Sequence, residues 1–413
     1  MHTKLFKTFL IIALTLSIIL LSLLILTSVK EEPAQVDTSK EKEMLTTQEN
    51  DQPAEKDIEQ KFSFKEEDIV TIPMNDLEPE SKNTTPPGNQ NSSIESREPI
   101  ATPPLNYHSP TVMAWIYPGE PACNATQEFS DGRHIDILKP EFFTINGGSL
   151  TLLRQAEVGC NGYSPDFVNK IKRYSNQQFI TVSSADANDM KSFLATALND
   201  GKAITDLVDF VSKYNLTGIE LNFEDFGNWD TQSYADFKKF VTELGNALHN
   251  QNKKLMIVGP PVSNRTEENW YLWRYEDFVN LPADHMVVMG YDYQFDHGSG
   301  NPVAPLDWLS EVISWISNRY PKDKLTIGIP SYGYEGRRGR HDISILTFEQ
   351  IANKPGFDKA NRDERSAEMT WRQSGIFYVY QDSISMQEKI NLVKSHGINS
   401  VSIWHLGGNP WFK

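Results

Sequence analysis

Short apolar segments alternate with amphipathic stretches from about residue 107 onwards, and this alternation restricts the fold more than any other feature. The segments are rich in Val, Ile, Phe and Met, as buried β-strands are. We predict eight strands, at residues 111–117, 142–145, 179–182, 218–223, 254–258, 286–289, 325–329 and 400–404. Between most of them apolar residues recur with helical spacing, for example at residues 204–214, 234–249 and 308–319.

Repeated strand–helix–strand units imply parallel pairing, because the helix carries the chain back to the start of the next strand. Eight units in about 300 residues predict the α/β class and a (β/α)8 TIM barrel, which typically needs about 250 residues. A doubly wound open sheet is the alternative on pattern alone. The chain has no G-x-G-x-x-G or G-x-x-x-x-G-K-S/T phosphate-binding motif to favour it.

The segment between the seventh and eighth predicted strands indicates a short insertion. Residues 368–371 and 376–380 have the composition of two short strands, which suggests a hairpin. The insertion opens with three arginines, Arg337, Arg338 and Arg340. They fit either a contact with an acidic sugar, such as a muramyl group, or a solvated loop.

An uninterrupted apolar run at residues 9–29 predicts a membrane segment. At about 1.5 Å per helical residue, it can cross a hydrocarbon core of about 30 Å. The run is longer than the apolar region of a cleaved signal peptide and lacks a good cleavage site, so an anchor at residues 1–29 is favoured over a secreted form. Lys4 and Lys7 precede it, which predicts a single pass through the cell membrane with the remaining chain outside the cell.

Residues 30–105 are dominated by charged and small polar residues and by proline, and we predict that they form a disordered acidic linker. Such a composition buries too little apolar surface to offset the entropy lost on ordering. The globular domain is then expected at residues 106–413. The formal net charge of -16 argues against a nucleic-acid partner, which needs clustered Lys and Arg, but it is compatible with a neutral polysaccharide.

The chain has two cysteines, Cys123 and Cys160, on either side of one predicted strand–helix unit. In an exported chain they have the opportunity to pair, and the sequence leaves the disulfide open. No cluster of histidines accompanies them, so no zinc site is predicted. No other metal or cofactor is predicted, and the oligomeric state is left open.

The fourth predicted strand has polar residues on one face only. It reads T-G-I-E-L-N-F-E-D at residues 217–225, and side chains alternate between the two faces of a strand. The face expected to pack against helices carries Ile219, Leu221 and Phe223. The face expected to point into the barrel carries Gly218, Glu220, Asn222 and Glu224. Acids buried there need hydrogen bonds or charged partners, and catalytic residues of such barrels lie at the carboxyl ends of strands.

This segment resembles the fourth strand of the family 18 glycoside hydrolases, a chitinase-like group that includes spore peptidoglycan hydrolases. Their motif is D-G-x-D-x-D-x-E, and Gly218 and Glu224 occupy the matching positions. Three later segments are similar to that family, in the same order. They are M-G-Y-D at residues 289–292, L-T-I-G-I-P-S-Y-G at 325–333 and G-I-N-S-V-S-I-W-H-L-G-G at 397–408.

The resemblance implies a hydrolase of β-1,4-linked N-acetylglucosaminyl polymers, of the chitin or peptidoglycan type. Glu224 would protonate the leaving oxygen, with its pKa raised by burial and neighbouring acids. The substrate's own N-acetyl carbonyl would attack, which gives net retention. The catalytic residues implied are Glu224, Asn222, Asp292 and Tyr291. The substrate-binding residues implied are Glu220, Trp404, Trp115, Met289 and Tyr332.

Three positions depart from the family motif, since Thr217, Glu220 and Asn222 stand where it has Asp. The third Asp normally orients the acetamido N–H and stabilises the developing positive charge. Asn can accept the same hydrogen bond but brings no charge, and losing one such partner typically lowers the rate about 10²–10³-fold. Asp225 points the other way by alternation. Three hypotheses follow: compensation by Glu220 or Asp292, a slow enzyme, or a lectin-like carbohydrate-binding relative.

Overall fold

The computed structural model describes residues 110–130 and 135–409. The predicted anchor and linker, residues 1–29 and 30–105, lie outside the described residues. Within the described ranges, no helix combines the length and the apolar character that a membrane span requires.

Eight parallel strands close into a barrel, as predicted. Each strand pairs with the next along the chain, and the last pairs with the first, which rules out a doubly wound open sheet. The strands are β1 (Thr111–Ile116), β2 (Ile137–Asn146), β3 (Gln177–Ser184), β4 (Gly218–Phe223), β5 (Lys254–Gly259), β6 (His285–Met289), β7 (Leu325–Pro330) and β8 (Ser400–Leu406). A short strand, Ser149–Leu152, pairs antiparallel with β2.

Helices occupy most of the connections between strands, and the three predicted examples are confirmed. The helices are α1 (Ala125–Ser130), α2 (Gln155–Val158), α3 (Pro165–Tyr174), α4 (Ala187–Asp200), α5 (Lys202–Lys213), α6 (Thr231–His249), α7 (Arg265–Trp270), α8 (Tyr293–His297), α9 (Leu306–Ser317), α10 (Phe348–Ile351) and α11 (Ser383–Ser395). Single 3-10 turns lie at Phe226–Asn228, Tyr275–Phe278, Lys322–Lys324 and Phe357–Lys359.

The outward face of β4 holds the barrel to its helices. Ile219, Leu221 and Phe223 have no exposed surface. The ring of Phe223 lies 6.0 Å from that of Phe193 in α4 and 5.6 Å from that of Phe237 in α6, measured between centroids. Burying one such side chain contributes about 1.5–3 kcal/mol. This packing confirms the predicted alternation, and it fixes the other face of β4 towards the barrel interior.

Strand β2 begins at Ile137, whereas the prediction placed its start at residue 142. The prediction was too short because Pro140 lacks a backbone N–H and argues against a central strand. Close to this proline, the register between β2 and β3 shifts between Glu141 and Phe143, which indicates a bulge. The earlier start brings Lys139 and Glu141 into the barrel wall.

The insertion between β7 and β8 is larger than the predicted hairpin. The hairpin exists, as Met369–Gln373 paired with Ile376–Tyr380. It belongs to a five-stranded antiparallel sheet, in the order Ser344–Leu346, Gly333–Arg337, Ile376–Tyr380, Met369–Gln373, Asn361–Arg362. The sheet has a small apolar cluster of its own, in which the rings of Trp371 and Tyr378 stack at 4.4 Å.

Cys123 and Cys160 form a disulfide with their Cα atoms 5.4 Å apart. The bond joins the connection after β1 to the turn after α2. Backbone N–H of Gly119 donates to the Cys160 carbonyl at 2.9 Å, and the Asn161 amide donates to the carbonyls of Tyr117 and Ala122. The link therefore stiffens one side of the carboxyl-terminal rim of the barrel.

Candidate active site

Glu224 directly follows β4, at the carboxyl end of the barrel where the sequence predicts the site. Its backbone N–H donates to the Ser184 carbonyl at 2.8 Å, so the β3–β4 ladder continues up to this residue. The Trp229 indole N–H donates to the Glu224 carbonyl at 2.9 Å. The side chain is half-buried, so its carboxyl group is both positioned and accessible.

Asn222 lies beside the acid on the inward face of β4. Its Nδ2 donates to Glu224 Oε1 at 2.8 Å. Its Oδ1 is buried and has no hydrogen-bond partner among the described residues. A buried acceptor without a partner is unfavourable by about 1–3 kcal/mol, so this oxygen suits an N–H donor from a bound molecule.

Glu220 is fully buried inside the barrel and bound by three donors. Trp115 Nε1 and Lys139 Nζ donate to its two oxygens, the latter at 2.5 Å, and Thr181 Oγ1 donates at 3.0 Å. The Lys139 ammonium also lies 3.3 Å from the centroid of the Trp115 ring. Burial lowers the pKa of Lys139 to about 8, and the attraction of Glu220 opposes that shift. The charge of Glu220 is thus neutralised locally, which argues against the hypothesis that Glu220 replaces the missing Asp.

A further carboxyl group, that of Glu141, enters the site from β2. Ser183 Oγ donates to Glu141 Oε1 at 2.6 Å, and Ser183 pairs with Asn222 across the β3–β4 ladder. Burial raises the pKa of Glu141 to about 7, the hydrogen bond from Ser183 opposes the shift, and the charges of Glu224 and Glu220 add to it. Glu141 is partly exposed, so it borders the site.

Aromatic rings and Asp292 form the opposite wall of the site. The Tyr332 hydroxyl donates to Asp292 Oδ1, and the Tyr332 ring meets Trp404 edge-on at 5.0 Å. Tyr291 lies nearly parallel to Trp404 at 6.1 Å. Burial raises the pKa of Tyr291 well above its usual value, and the charges of Asp292 and Glu224 add to it. Tyr291 therefore stays a neutral hydroxyl donor.

Asp292 has a left-handed backbone with φ of 74°, at the residue that precedes α8. Its side chain makes no helix-capping hydrogen bond, so its position is not explained by capping. By contrast, Asp225 accepts from the Ala187 N–H at 3.0 Å and from the Asn228 amide at 2.8 Å. As alternation predicts, Asp225 serves the loop after β4.

The structure brings the predicted residues together at one end of the barrel, but at different depths. Trp404, Asp292, Asn222 and Glu224 retain some exposed surface, whereas the other predicted residues are buried: Tyr291, Glu220, Trp115, Met289 and Tyr332. Glu220 and Tyr332 have no exposed surface, and they form hydrogen bonds with neighbouring side chains.

Sequence reasoning missed four polar residues of the site. They are Lys139, Glu141, Thr181 and Ser183. Alternation would have placed Lys139 and Glu141 on one inward face of β2, had the strand been extended through Pro140.

A cavity of about 600 Å³ lies at the opposite end of the barrel, lined in part by Thr111, Lys254, His285 and Ser400. It contains none of the residues above. Catalysis in these barrels takes place at the carboxyl ends of strands, so the cavity is not the candidate active site.

A closed (β/α)8 barrel, with an acid after its fourth strand and aromatic residues on the facing wall, defines a class of glycosidase-like proteins. The chain belongs to glycosyl hydrolases family 18, whose family model matches residues 137–409. This confirms the resemblance found in the sequence and places the chain among glycosidases.

Among curated relatives, the chain is 26% identical over 218 residues to an uncharacterized glycosylase, YvbX, of Bacillus subtilis, covering 50% of this chain and 62% of the relative. It is 23% identical over 227 residues to the cortical fragment-lytic enzyme of Bacillus anthracis, covering 52% of each. A chitinase from Chromobacterium violaceum has the same fold, with a TM-score of 0.61, 22% identity, and coverage of 73% of this chain and 95% of that chain. The chain thus spans about half the length of most of the curated relatives it matches.

Proposed function

We propose that this chain hydrolyses β-1,4-linked N-acetylglucosaminyl polymers, of the chitin or peptidoglycan type, by substrate-assisted catalysis with retention. The observation that carries the proposal is the juxtaposition of the Glu224 carboxyl with the unpartnered Asn222 Oδ1. A proton donor and an acceptor for an acetamido N–H are what this mechanism requires. The names of the relatives, a cortical fragment-lytic enzyme and a chitinase, favour both substrate types.

In the first step, Glu224 transfers its proton to the glycosidic oxygen while the bond from that oxygen to C1 breaks. The acetamido carbonyl oxygen of the same sugar forms a new bond to C1, giving an oxazolinium ion. In the second step, water attacks C1, the oxazolinium ring opens, and the proton from that water returns to the Glu224 carboxylate. The two inversions at C1 give net retention.

Asn222 accepts the acetamido N–H and so orients the carbonyl oxygen towards C1. Tyr291 donates its hydroxyl to the acetamido group, with Asp292 beside it, and Tyr332 holds Asp292 in place. Trp404 supplies an apolar platform for the sugar ring, supported edge-on by Tyr332. Lys139 and Trp115 hold Glu220, which keeps the barrel interior below Asn222 rigid.

The test is release of new reducing ends from chitooligosaccharides and from purified peptidoglycan, with products identified by mass spectrometry. Glu224→Gln is the control, because it keeps the shape and removes the transferable proton. The wild type should release products that the variant does not. Equal product release from both proteins would refute the role of Glu224.

A second candidate function is carbohydrate binding without turnover, which the neutral Asn222 favours. In that case the wild type should bind N-acetylated oligosaccharides with turnover near background. Restoring the motif acid with Asn222→Asp would then create turnover. If Asn222→Asp also has none, while binding persists, the chain is a lectin-like relative whose acid lacks a catalytic setting.

We further propose that the domain works outside the cell, tethered by residues 9–29, with secretion as the alternative. The Cys123–Cys160 disulfide supports export, since such bonds persist in oxidising compartments. Protease treatment of intact cells tests the tether. An anchored external domain should be shaved from the cell surface, a secreted one should be in the medium, and an internal one should be protected.

A further inference from the structure

Glu141 is an ionisable residue of the site that the proposed mechanism has not used. It lies on β2, where it pairs with Thr181 of β3, and Thr181 pairs with Glu220 of β4. Its carboxyl group extends towards the carboxyl end of the barrel and accepts a hydrogen bond from the hydroxyl of Ser183, the residue of β3 that pairs with Asn222. The Glu141 carboxyl is therefore at the level of Asn222, across one intervening strand.

Unlike Glu220, Glu141 forms no ion pair with a cation among the described residues. The titratable groups that interact with it are Tyr117, which directly follows β1, Glu220 on β4, and Glu224, which directly follows β4. Lys139, on the same strand, is bound to Glu220. Among the described residues, no cation contributes to the pKa of Glu141.

Asn222 poses a specific problem for the acid. A general acid must hold its proton until the leaving oxygen takes it. A donor such as Asn222 Nδ2, 2.8 Å from Glu224 Oε1, favours the ionised form of a carboxyl group. A nearby negative charge has the opposite effect, and an Asp at position 222 would provide one.

We propose that Glu141 supplies this charge from β2, in place of the Asp that the family motif has at position 222. The inference rests on the proposed function. In its ionised form Glu141 keeps the proton on Glu224 by like-charge repulsion. The same charge stabilises the oxazolinium ion electrostatically. Glu141 is thus a positioning residue that acts through Glu224, and Ser183 fixes its carboxyl group.

The Glu141 and Glu224 carboxyl groups interact electrostatically. The charge of Glu224 helps to raise the pKa of Glu141 to about 7, after the larger effect of burial. Interacting carboxyl groups lose their protons in two steps that belong to the pair. Between the two steps they share one proton, and the productive form has it on Glu224.

The experiment is the pH profile of kcat/KM on chitooligosaccharides for the wild type, Glu141→Gln, and Glu141→Gln combined with Asn222→Asp. Glu243→Gln is the matched control, because Glu243 lies on α6 outside the barrel in an ion pair with Lys239. Thermal unfolding of each protein checks that it is folded. Glu141→Asp, which keeps the charge, replaces Glu141→Gln if that variant does not fold.

We expect Glu141→Gln to lower kcat/KM at pH 7 by about 10²-fold. The basic limb of its profile should move to lower pH by about one unit or more, because Glu224 loses its proton more easily without the neighbouring charge. Adding Asn222→Asp should recover about tenfold or more and move the limb back. If Glu141→Asp is used instead, it should keep the basic limb of the wild type while its rate falls.

If Glu141→Gln changes neither kcat/KM nor the basic limb of the pH profile, the inference is overturned while the proposed function stays intact. A loss of activity without a shift of the basic limb would also overturn it, since it would indicate a merely structural role. For Glu141→Asp, a displaced basic limb is the overturning result. A wild type that cleaves no N-acetylated glycan would refute the proposed function itself, and this inference with it.

Discussion

The buried pair of Lys139 and Glu220 provides a sharp test of how the barrel interior is built. Both side chains have no exposed surface, and their charged atoms are 2.5 Å apart. Lys139→Met keeps the length of the side chain and removes the ammonium group. Glu220 is then buried without a cation, although Trp115 and Thr181 still donate to it.

Removing one partner of a buried ion pair typically destabilises a protein by about 3–5 kcal/mol. Because two donors remain, we expect a value near the lower end, about 3 kcal/mol. Total stabilities of domains are about 5–15 kcal/mol, so the loss is easily measured. Combining Lys139→Met with Glu220→Gln removes the buried charge as well, and the double variant should recover to within about 1.5 kcal/mol of wild type.

The assay is urea unfolding followed by tryptophan fluorescence, with the slope m compared between variants. Lys238→Met is the matched control, because Lys238 forms a half-exposed ion pair with Asp277 at 2.8 Å, worth at most about 1 kcal/mol. A loss below about 1 kcal/mol, or no recovery in the double variant, would refute the reasoning.

Three further predictions concern the stability of the domain and the site. Glu141→Gln should be more stable than wild type at pH 8 but not at pH 4, as measured by urea unfolding at the two pH values. The folded pKa of Glu141, about 7, lies above its usual value of 4.5, so the stability of the wild type falls as the pH rises between these two values. Replacing both Cys123 and Cys160 by Ser should lower the free energy of unfolding by about 4 kcal/mol, the loop-entropy value for a separation of 37 residues, and an unchanged urea midpoint would contradict it. Trp404→Ala should raise KM about tenfold or more with a smaller change in kcat, because the platform binds the sugar ring before and during the reaction; steady-state kinetics that show only a fall in kcat would argue for another role.

Much of the fold could be predicted because it depends on local patterns. Alternation along residues 217–225 placed Phe223 outwards and Glu224 inwards, and the packing of Phe223 on Phe193 and Phe237 follows that pattern. The order of the later motifs predicted which residues would line the facing wall. Each of these predictions needs only two things: the alternation of side chains between the two faces of a strand, and the position at which the strand ends.

The polar network inside the barrel could not be predicted in the same way. Trp115, Lys139 and Glu220 come together over separations of up to 105 residues, and nothing local in the sequence specifies such a contact. Pro140 further obscured the start of β2 and with it Glu141. The sequence therefore could not show that Lys139 binds Glu220, which is the contact that argues against compensation for Asn222 by Glu220.

The central claim is that Glu224 cleaves glycosidic bonds with the help of the substrate's own acetamido group. The most direct test compares product release from N-acetylglucosamine oligomers with release from the same oligomers after complete de-N-acetylation, for wild type and Glu224→Gln. We expect products only from wild type acting on the N-acetylated oligomer. Cleavage of the deacetylated oligomer at a comparable rate, or undiminished cleavage by Glu224→Gln, would contradict it.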